Sequence, residues 1–443
     1  MSRPIPGPPA RWGGLDLARR FRQSPLDFLG ELGRAYGDVA YFRIGPLSNC
    51  FVNHPELINQ LLTREITAAP KSERLMAALL QIDGRAIATS EGDFWQRQRR
   101  LVQAAFHQQR MPGYASTMLD SARRRISEWT AGSEIDVQAE MTRLTLEIAC
   151  KVMFSVDLDT TASHFAKAVH DFSEAFVRET GQPVMWPDWL PLPYKRRKRA
   201  AIATLDGFIR HVVRERRAAD TDQGDLLSML LLAANGEGNH PGMTDEQVRN
   251  EAMTLFNAGH DTTAAGLTWL LYVMADKPDV QERVTLDVRS TGQGELDRVI
   301  KETLRLYPPA FALFARESTR EIILRDYPIP PRTTFFVSPY VLHHDSRFFE
   351  RPEIFDPDRF RPERESSIPR FAYMPFGIGP HMCIGAGFAT LEMRTVVTAI
   401  LERFRLTLLQ GPDGFNPLLS LLPRRPIIVR VDERDHRSVA RGS

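Results

Sequence analysis

Residues 376–385 read FGIGPHMCIG. Three glycines and a proline crowd around Cys383, in a chain of 443 residues with only three cysteines. A cysteine that merely packs in a core needs no glycine on nearly every side. Gly377, Gly379 and Gly385 permit backbone turns and close approaches that a Cβ would block, as if something flat or bulky pressed against this backbone. The segment that follows, IGAGFATLEMRTVVTAILERF, has a helical pattern. Cys383 therefore sits at a helix N-terminus, where amide N–H groups and the helix dipole favour a thiolate. A stabilised thiolate is a nucleophile or a metal ligand. As a nucleophile it has one base nearby, His381. As a ligand, with no further cysteine and no HxxxH pair beside it, it must be axial to a cofactor that brings the other ligands itself.

The rest of the chain narrows the choice. Cys50 and Cys150 lie far from Cys383 and from each other, and no CxxC pair occurs. That argues against a disulfide framework and a structural zinc site and for a reducing compartment, with Cys50 and Cys150 as small apolar fillers. Charged residues are 25% and the net charge is +2, so no nucleic-acid partner is expected. No run approaches the roughly 18 apolar residues of a membrane span, and MSRPIPGPPARWGG lacks the apolar centre of a signal peptide. A cytoplasmic chain without a transmembrane anchor is expected. With 43% apolar residues, no internal repeat and no long linker, the expectation is one large domain over 21–432. A proline-rich N-terminal tail (1–20) and a polar, frayed C-terminal tail (433–443) flank it.

Helical patterns dominate. WQRQRRLVQAAFHQ (95–108) sets apolar residues against arginines, and Val137, Met141, Leu144, Ile148 and Val152 recur at helical spacing. The clearest helix spans about 245–275, opened by a T-x-x-Q capping box at Thr244 and Gln247 and followed by Pro278. A second, ELDRVIKETLRLY (295–307), stops at Pro308–Pro309. Strand signals are few: 39–45, 333–339, 404–409 and 426–431. The fold class is therefore mainly α with a minor β region.

FGIGPHMCIG resembles the haem-ligand signature of the cytochromes P450 at every specified position: Phe376, Gly377, Gly379, His381, Cys383 and Gly385. Three other motifs follow the family order. AGHDTT (258–263) interrupts the apolar stretch of the long helix. The resemblance implies that Ala258 and Gly259 open a groove for dioxygen, and that Asp261 and Thr262 relay protons. KETLR with FDPDRF (355–360) implies a buried Glu302–Arg305–Arg359 cluster supporting the haem loop. WQRQR implies that Trp95 and Arg99 meet a haem propionate, joined by His381 and by Arg316 of FARES. Without the resemblance, each motif has a plain alternative: a helix face touching solvent, an ordinary i,i+3 ion pair, a basic amphipathic helix.

The resemblance implies the cytochrome P450 fold, haem b (iron protoporphyrin IX) with Cys383 as its metal ligand, and insertion of one oxygen atom of O2 into a hydrophobic substrate. That substrate is a fatty acid, terpenoid, steroid or polyketide. It also implies a pocket lined by the region 75–87, by Phe256 to His260, by Ala310 to Phe314, including Phe311, Leu313 and Phe314, and by Ser420 to Leu422, including Leu421. His260 either contacts a polar substrate group or bonds within the core; the second is favoured. Nothing after Cys383 reads as a flavin or iron–sulfur module, so electrons are expected from a ferredoxin or flavodoxin with its NAD(P)H-dependent reductase, steered by Arg97, Arg100 and Arg110; the alternative for these arginines is a merely solvated face. VMWPDWLPLPYKRRKRA (184–200) falls at the family's lid, its basic run read as a solvated helix start rather than a membrane contact. Between the long helix and KETLR the chain is short, and one short helix fewer is expected than in larger members. The alternatives are a haem-thiolate peroxygenase or an isomerase or dehydratase on the same fold, and a sensor or a cysteine hydrolase built on Cys383 and His381.

Overall fold

One helix organises the molecule, Asp245–Asp276, 32 residues and about 48 Å long. The computed structural model describes residues 4–158, 162–181, 186–219, 221–234, 242–290 and 294–434. The long helix opens as its sequence predicts. The Gln247 amide donates to Thr244 Oγ1 (3.2 Å), and the Thr244 amide donates to Gln247 Oε1 (3.0 Å). It ends at Lys277, whose extended backbone precedes Pro278. Val248 to Phe256 and Thr263 to Ala275 are buried on nearly every side. Between them, Asn257 to Thr262 are mostly part-exposed, with His260 buried. The polar interruption therefore marks an opening in the interior.

That opening separates two hydrophobic cores, both served by the same helix. Leu267, Trp269, Leu270 and Met274 join a core built with helices Met111–Ser127, Val137–Phe154 and Ala386–Arg403 and with strands Phe404–Gln410 and Ile428–Glu433. Val248, Ala252, Met253 and Phe256 join a second core with helices Glu73–Asp83, Ala162–Thr180, Pro193–Ala219 and Leu226–Ala234. A third cluster lies under a small sheet ordered Val39–Ile44, Leu47–Val52, Thr333–Phe336, Arg316–Glu317. Its register pairs Val39 with Val52, Cys50 with Phe335 in parallel, and Arg316 with Phe335. Helix makes up 58% and strand 11% of this single domain, so the sheets are accessories that deliver particular side chains. Leu47–Val52 escaped the sequence reading because Ser48 and Asn49 break its alternation.

Several expectations meet the structure directly. The N-terminal segment is no loose tail from Pro6 onward: Pro6 O accepts from the Tyr41 amide at 2.8 Å, and Leu15–Gln23 is helical. The C-terminal tail beyond Arg434 lies outside the described residues. Between the long helix and Gly294–Leu306 stands one helix, Pro278–Arg289, with 291–293 outside the described residues. Cys50 and Cys150 are buried, and that burial pushes both thiols far up. Among the described residues no helix is long and apolar enough to cross a membrane.

The basic run at 195–199 corrects its reading as a solvated helix start. Residues 184 and 185 lie outside the described residues, but Lys195 and Lys198 are buried. Both ammonium groups bond Glu179 Oε1 (2.9 and 2.8 Å) and Asp188 Oδ1 (2.8 and 2.5 Å). Lys198 also donates to Gln81 Oε1 at 2.7 Å. Only Arg196, Arg197 and Arg199 face outward. The helical period turns every third or fourth basic residue inward, where a carboxylate must meet it.

Candidate active site

A cavity of about 350 Å³ sits where the three clusters meet. Cys383 and its neighbours Phe376, Gly377 and His381 line it, and so do Ala258, Gly259, Thr262 and Thr263 of the long helix. The remaining lining comes mainly from Leu62, Ile87, Met153, Pro309, Leu313 and Phe314.

The cysteine loop is tightly specified. The Cys383 amide donates to Phe376 O at 3.0 Å, the Met382 amide to Gly379 O at 3.1 Å, and the Gly377 amide to Met374 O at 3.0 Å. Gly377 and Gly379 take φ of +71° and +76°, the left-handed region that favours glycine. A Cβ on Gly379 would stand 2.5 Å from Leu62 O. The close approach at Gly379 is thus made by protein, and Gly379 does not line the cavity. Gly385 has an ordinary φ of −89° and caps Ala386–Arg403. Cys383 reaches solvent through the cavity, yet protein atoms crowd it, and lost hydration raises its pKa; the Gly385 amide and the Arg99 charge pull the other way. The thiolate preference read from the helix N-terminus is therefore only partly realised by the polypeptide.

Beside the loop lies a charged group. Trp95 stacks on His381 with ring centres 3.9 Å apart, and the Arg99 guanidinium lies 5.7 Å from the Trp95 ring. Arg99 Nη1 donates to Met382 O at 2.9 Å. His381 Nε2 stands 3.1 Å from Glu91 Oε2, and Arg316 Nη1 3.0 Å from Glu91 Oε1. The Lys71 amide also donates to Glu91 Oε1 at 3.0 Å. Burial opposes the Glu91 charge, but His381 and Lys71 overcome it and bring the carboxyl down to about 2. Trp95, Arg99, Arg316, His381 and Lys71 all line the cavity. Sequence reasoning missed Lys71 and Glu91. Glu91 precedes the WQRQR helix by one residue, while Lys71 gave no signal.

On the long helix, Thr262 lines the cavity and its hydroxyl donates to Ala258 O at 2.8 Å. Asp261 does not line it; its Oδ2 accepts from the Ser420 hydroxyl at 2.6 Å. Gly259 is small for an unforeseen reason: a Cβ there would lie 2.6 Å from the Met153 methyl. Of the expected pocket residues, Ile87, Ala258, Gly259, Ala310, Ala312, Leu313 and Phe314 are in the lining. Of the residues singled out, Phe256, Phe311 and Leu421 are not, and each is a correction; His260 is not either, which is the core reading favoured for it. Phe256 is buried against Phe154 and Phe208. His260 is buried and turns back to Phe256 O (2.8 Å), its imidazole pKa lowered by burial. Leu421 is buried, its carbonyl accepting from Trp269 Nε1 at 2.8 Å. Phe311 gives its carbonyl to the Ser338 hydroxyl and stays outside the lining. For Phe256, His260 and Leu421, helical or hairpin periodicity turns the side chain away from the opening.

A support cluster lies behind the loop. Arg305 Nε and Nη2 each donate to Glu302 at 2.8 Å, with both side chains fully buried. Arg359 Nε approaches Glu302 to 3.5 Å. Arg305 Nη1 donates to His343 O at 2.8 Å. Burial holds His343 down to about 3, so it is neutral; its Nε2 accepts from the Met374 amide at 2.9 Å. His343 thereby joins the cluster to the start of the cysteine loop.

The family model for cytochrome P450 matches residues 4–431. The chain belongs to the cytochrome P450 family. It is 35% identical to cyclooctatin synthase of Streptomyces melanosporofaciens, over 90% of each chain. It is 32% identical to cyclooctat-9-en-7-ol 5-monooxygenase of the same organism, over 87% of this chain and 86% of the other. It is 31% identical to leukotriene-B4 omega-hydroxylase 3 of Mus musculus, over 93% and 86%. This P450 is accordingly a monooxygenase, an oxidoreductase that uses a haem-thiolate iron cofactor, O2, an organic substrate and a redox partner. The residues present fit such a group. Cys383 is a single thiol donor in the cavity wall. Arg316 keeps a buried Nε without a partner among the described residues. With Lys71 and Arg99 it leaves more positive charge than Glu91 can balance, as two carboxylates of a cofactor require.

Proposed function

We propose that this P450 hydroxylates or epoxidises a hydrophobic small molecule of the fatty acid, terpenoid, steroid or polyketide kind, with Cys383 ligating the iron of haem b. The observation that carries the reading is that one cavity is lined by both Cys383 and the Thr262 stretch of the long helix. The relatives' names, which speak of an alkenol and of leukotriene B4, support a lipid-like substrate, as do the apolar Leu313 and Phe314. When bound, thiolate-ligated haem supplies O2 activation with scission of the O–O bond. Overall, substrate R–H, O2, two protons and two electrons give R–OH and water.

The protein's own residues do the rest. Cys383 holds the metal, and the Gly385 amide and Arg99 stabilise its charge. Arg99, Trp95, Arg316, His381 and Lys71 hold the propionates. The small Ala258–Gly259 pair leaves room beside the helix. Thr262 presents a hydroxyl in the cavity, and Asp261 passes it protons from solvent. Glu302, Arg305 and Arg359 brace the loop. The electrons come from a ferredoxin or flavodoxin served by an NAD(P)H-dependent reductase. Of the three arginines proposed to meet it, Arg97 and Arg110 donate to Gly242 O and Gly224 O, while Arg100 is exposed; Arg100 is therefore the residue to reverse in a docking test.

The test is the visible spectrum of the reduced protein under carbon monoxide. A strongly red-shifted Soret band is expected, lost in Cys383→Ala. A normal haem band in the wild type would overturn the ligand assignment. Peroxide-driven turnover together with full coupling in Thr262→Ala would favour the peroxygenase alternative.

A further inference from the structure

The geometry points to Ser420 as a positioning residue for Asp261, held in place by the hairpin that carries it. This rests on the reading of Asp261 as the proton donor to Thr262 and adds a residue to it. Ser420 sits at the turn between strands Phe415–Pro417 and Leu421–Pro423. It is 1% exposed, and its hydroxyl donates to Asp261 Oδ2 at 2.6 Å. The turn itself is pinned. Leu421 O accepts from Trp269 Nε1 of the long helix at 2.8 Å, and the Leu421 amide donates to Pro309 O at 2.9 Å. Within the turn, the Leu418 amide donates to Ser420 O at 3.2 Å. The hydroxyl is thus fixed to the same helix whose carboxylate it holds, eight residues from the Trp269 anchor.

The consequence is orientational. Asp261 lies outside the cavity lining, whereas Thr262, next in sequence, lies within it. A half-exposed carboxylate on a helix has several rotamers open to it. One charge-assisted bond from a buried hydroxyl selects among them and leaves the other oxygen to exchange protons with water. Without it, the carboxylate relaxes toward solvent, and the two protons of a turnover arrive out of step with O–O scission. O2, two electrons and two protons then leave as hydrogen peroxide, and no substrate is oxidised.

The experiment uses holoenzyme with a plant-type [2Fe–2S] ferredoxin, its reductase and NADPH. The probe substrate is whichever of dodecanoic acid, farnesol and progesterone the wild type oxidises fastest. Ser420→Ala is expected to raise peroxide released per product by about tenfold, the weight of one hydrogen bond to a charged group. Ser420→Thr, which keeps the hydroxyl, restores coupling. The defect is confined to reductant-driven turnover. When hydrogen peroxide replaces NADPH, R–H and H2O2 give R–OH and H2O with no external protons, so the variant's disadvantage disappears. The double variant Ser420→Ala with Asp261→Asn is no worse than Asp261→Asn alone, because both act through one carboxylate. If Asp261→Asn uncouples turnover while Ser420→Ala stays coupled, the role of Ser420 falls and that of Asp261 stands. If Asp261→Asn is itself fully coupled, the proton-donor reading of Asp261 falls. A Ser420→Ala defect of equal size with NADPH and with peroxide makes Ser420 merely structural and overturns the inference.

Discussion

Glu302 carries a carboxylate with no exposed surface, met by Arg305 on both oxygens and approached by Arg359. A pair buried this completely is costly to break from one side, because the charge left behind has no water. Glu302→Gln should therefore destabilise the fold by about 3–5 kcal/mol. It should also loosen haem, since the chain of bonds from Arg305 through His343 ends at Met374. Urea midpoints and the Soret absorbance per protein measure both; an unchanged pair of values would falsify the bracing role. Glu251 makes a second residue-scale case. It is buried, one oxygen accepts from the Ile87 amide at 3.1 Å, and the other has no partner among the described residues. Burial, with Asp83 nearby, raises its carboxyl from 4.5 to about 8 against the pull of the Ile87 amide and Lys71. The folded chain then keeps a proton that the unfolded chain releases, so this contribution to stability is full below about pH 4.5 and is lost as the pH rises toward 8. The slope is up to about 1.4 kcal/mol per pH unit. Asp83, raised to about 6, adds to the slope in its lower part, and Lys71, lowered to about 8, acts above it with opposite sign. Glu251→Gln should flatten the fall in urea midpoint between pH 5 and 8; an equally steep fall in the variant would exclude Glu251 as its source. None of Glu251, Lys71, Glu91 or His343 was legible in the sequence. A motif names the residues that touch a common group, but a buried counter-charge is chosen by neighbours 20 to 165 positions away, as with Glu91 and Lys71 or Glu251 and Ile87.

At the scale of elements, local signals were strong where the backbone alone decides. The capping box and Pro278 marked both ends of the long helix, and the glycines marked the two left-handed turns of the cysteine loop. They were weak where tertiary pairing decides. The strand at Leu47–Val52, whose alternation Ser48 and Asn49 break, is held between its hairpin partner Val39–Ile44 and the distant Thr333–Phe336, and the pocket-facing positions of the long helix depend on which cores flank it. The clasp of Lys195 and Lys198 belongs here, since it ties four segments together: helix Ala162–Thr180 by Glu179, the linker by Asp188, helix Pro193–Ala219 by the two lysines, and helix Glu73–Asp83 by Gln81. Burial works against the Lys195 ammonium, yet Asp188 and Glu179 more than offset it and raise its pKa. Outside the clasp, Trp186 and Trp189 are 53% and 76% exposed, so the linker is held by polar contacts at its base rather than by its aromatic residues. Glu179→Gln leaves the two buried ammonium groups with one carboxylate, Asp188, between them. Amide exchange in both long helices flanking the linker should speed up at least tenfold, while that of Ala386–Arg403 stays unchanged. A uniform acceleration across the chain would instead mark general destabilisation and sink the idea of a local clasp.

For the molecule as a whole, the decisive fact is where the cavity lies. Phe388 and Met393 bring the first core to its wall, Ile87, Trp95 and Met153 the second, and Leu62 and Leu313 the cluster beneath the sheet. The long helix passes through the first two cores and presents Ala258, Gly259, Thr262 and Thr263 to the gap between them. A rigid planar cofactor with an apolar body and two carboxylates, as proposed above, would touch all three at once. It would replace water against apolar walls and neutralise the charge gathered by Lys71, Arg99 and Arg316. Binding to the folded chain alone adds about 4 kcal/mol when the cofactor stands at a thousand times its Kd. Because all three clusters reach the cavity wall, its removal should also cost cooperativity. Haem-extracted protein is expected to unfold at a lower temperature than holoenzyme and in more than one calorimetric transition, with readdition of haem restoring a single transition. Cys383→Ala should fall between the two, since it loses the metal bond and keeps the propionate and apolar contacts. Were the extracted protein to melt in one step at the holoenzyme's temperature, the cores would be coupled through the polypeptide alone and the cofactor would have no structural part.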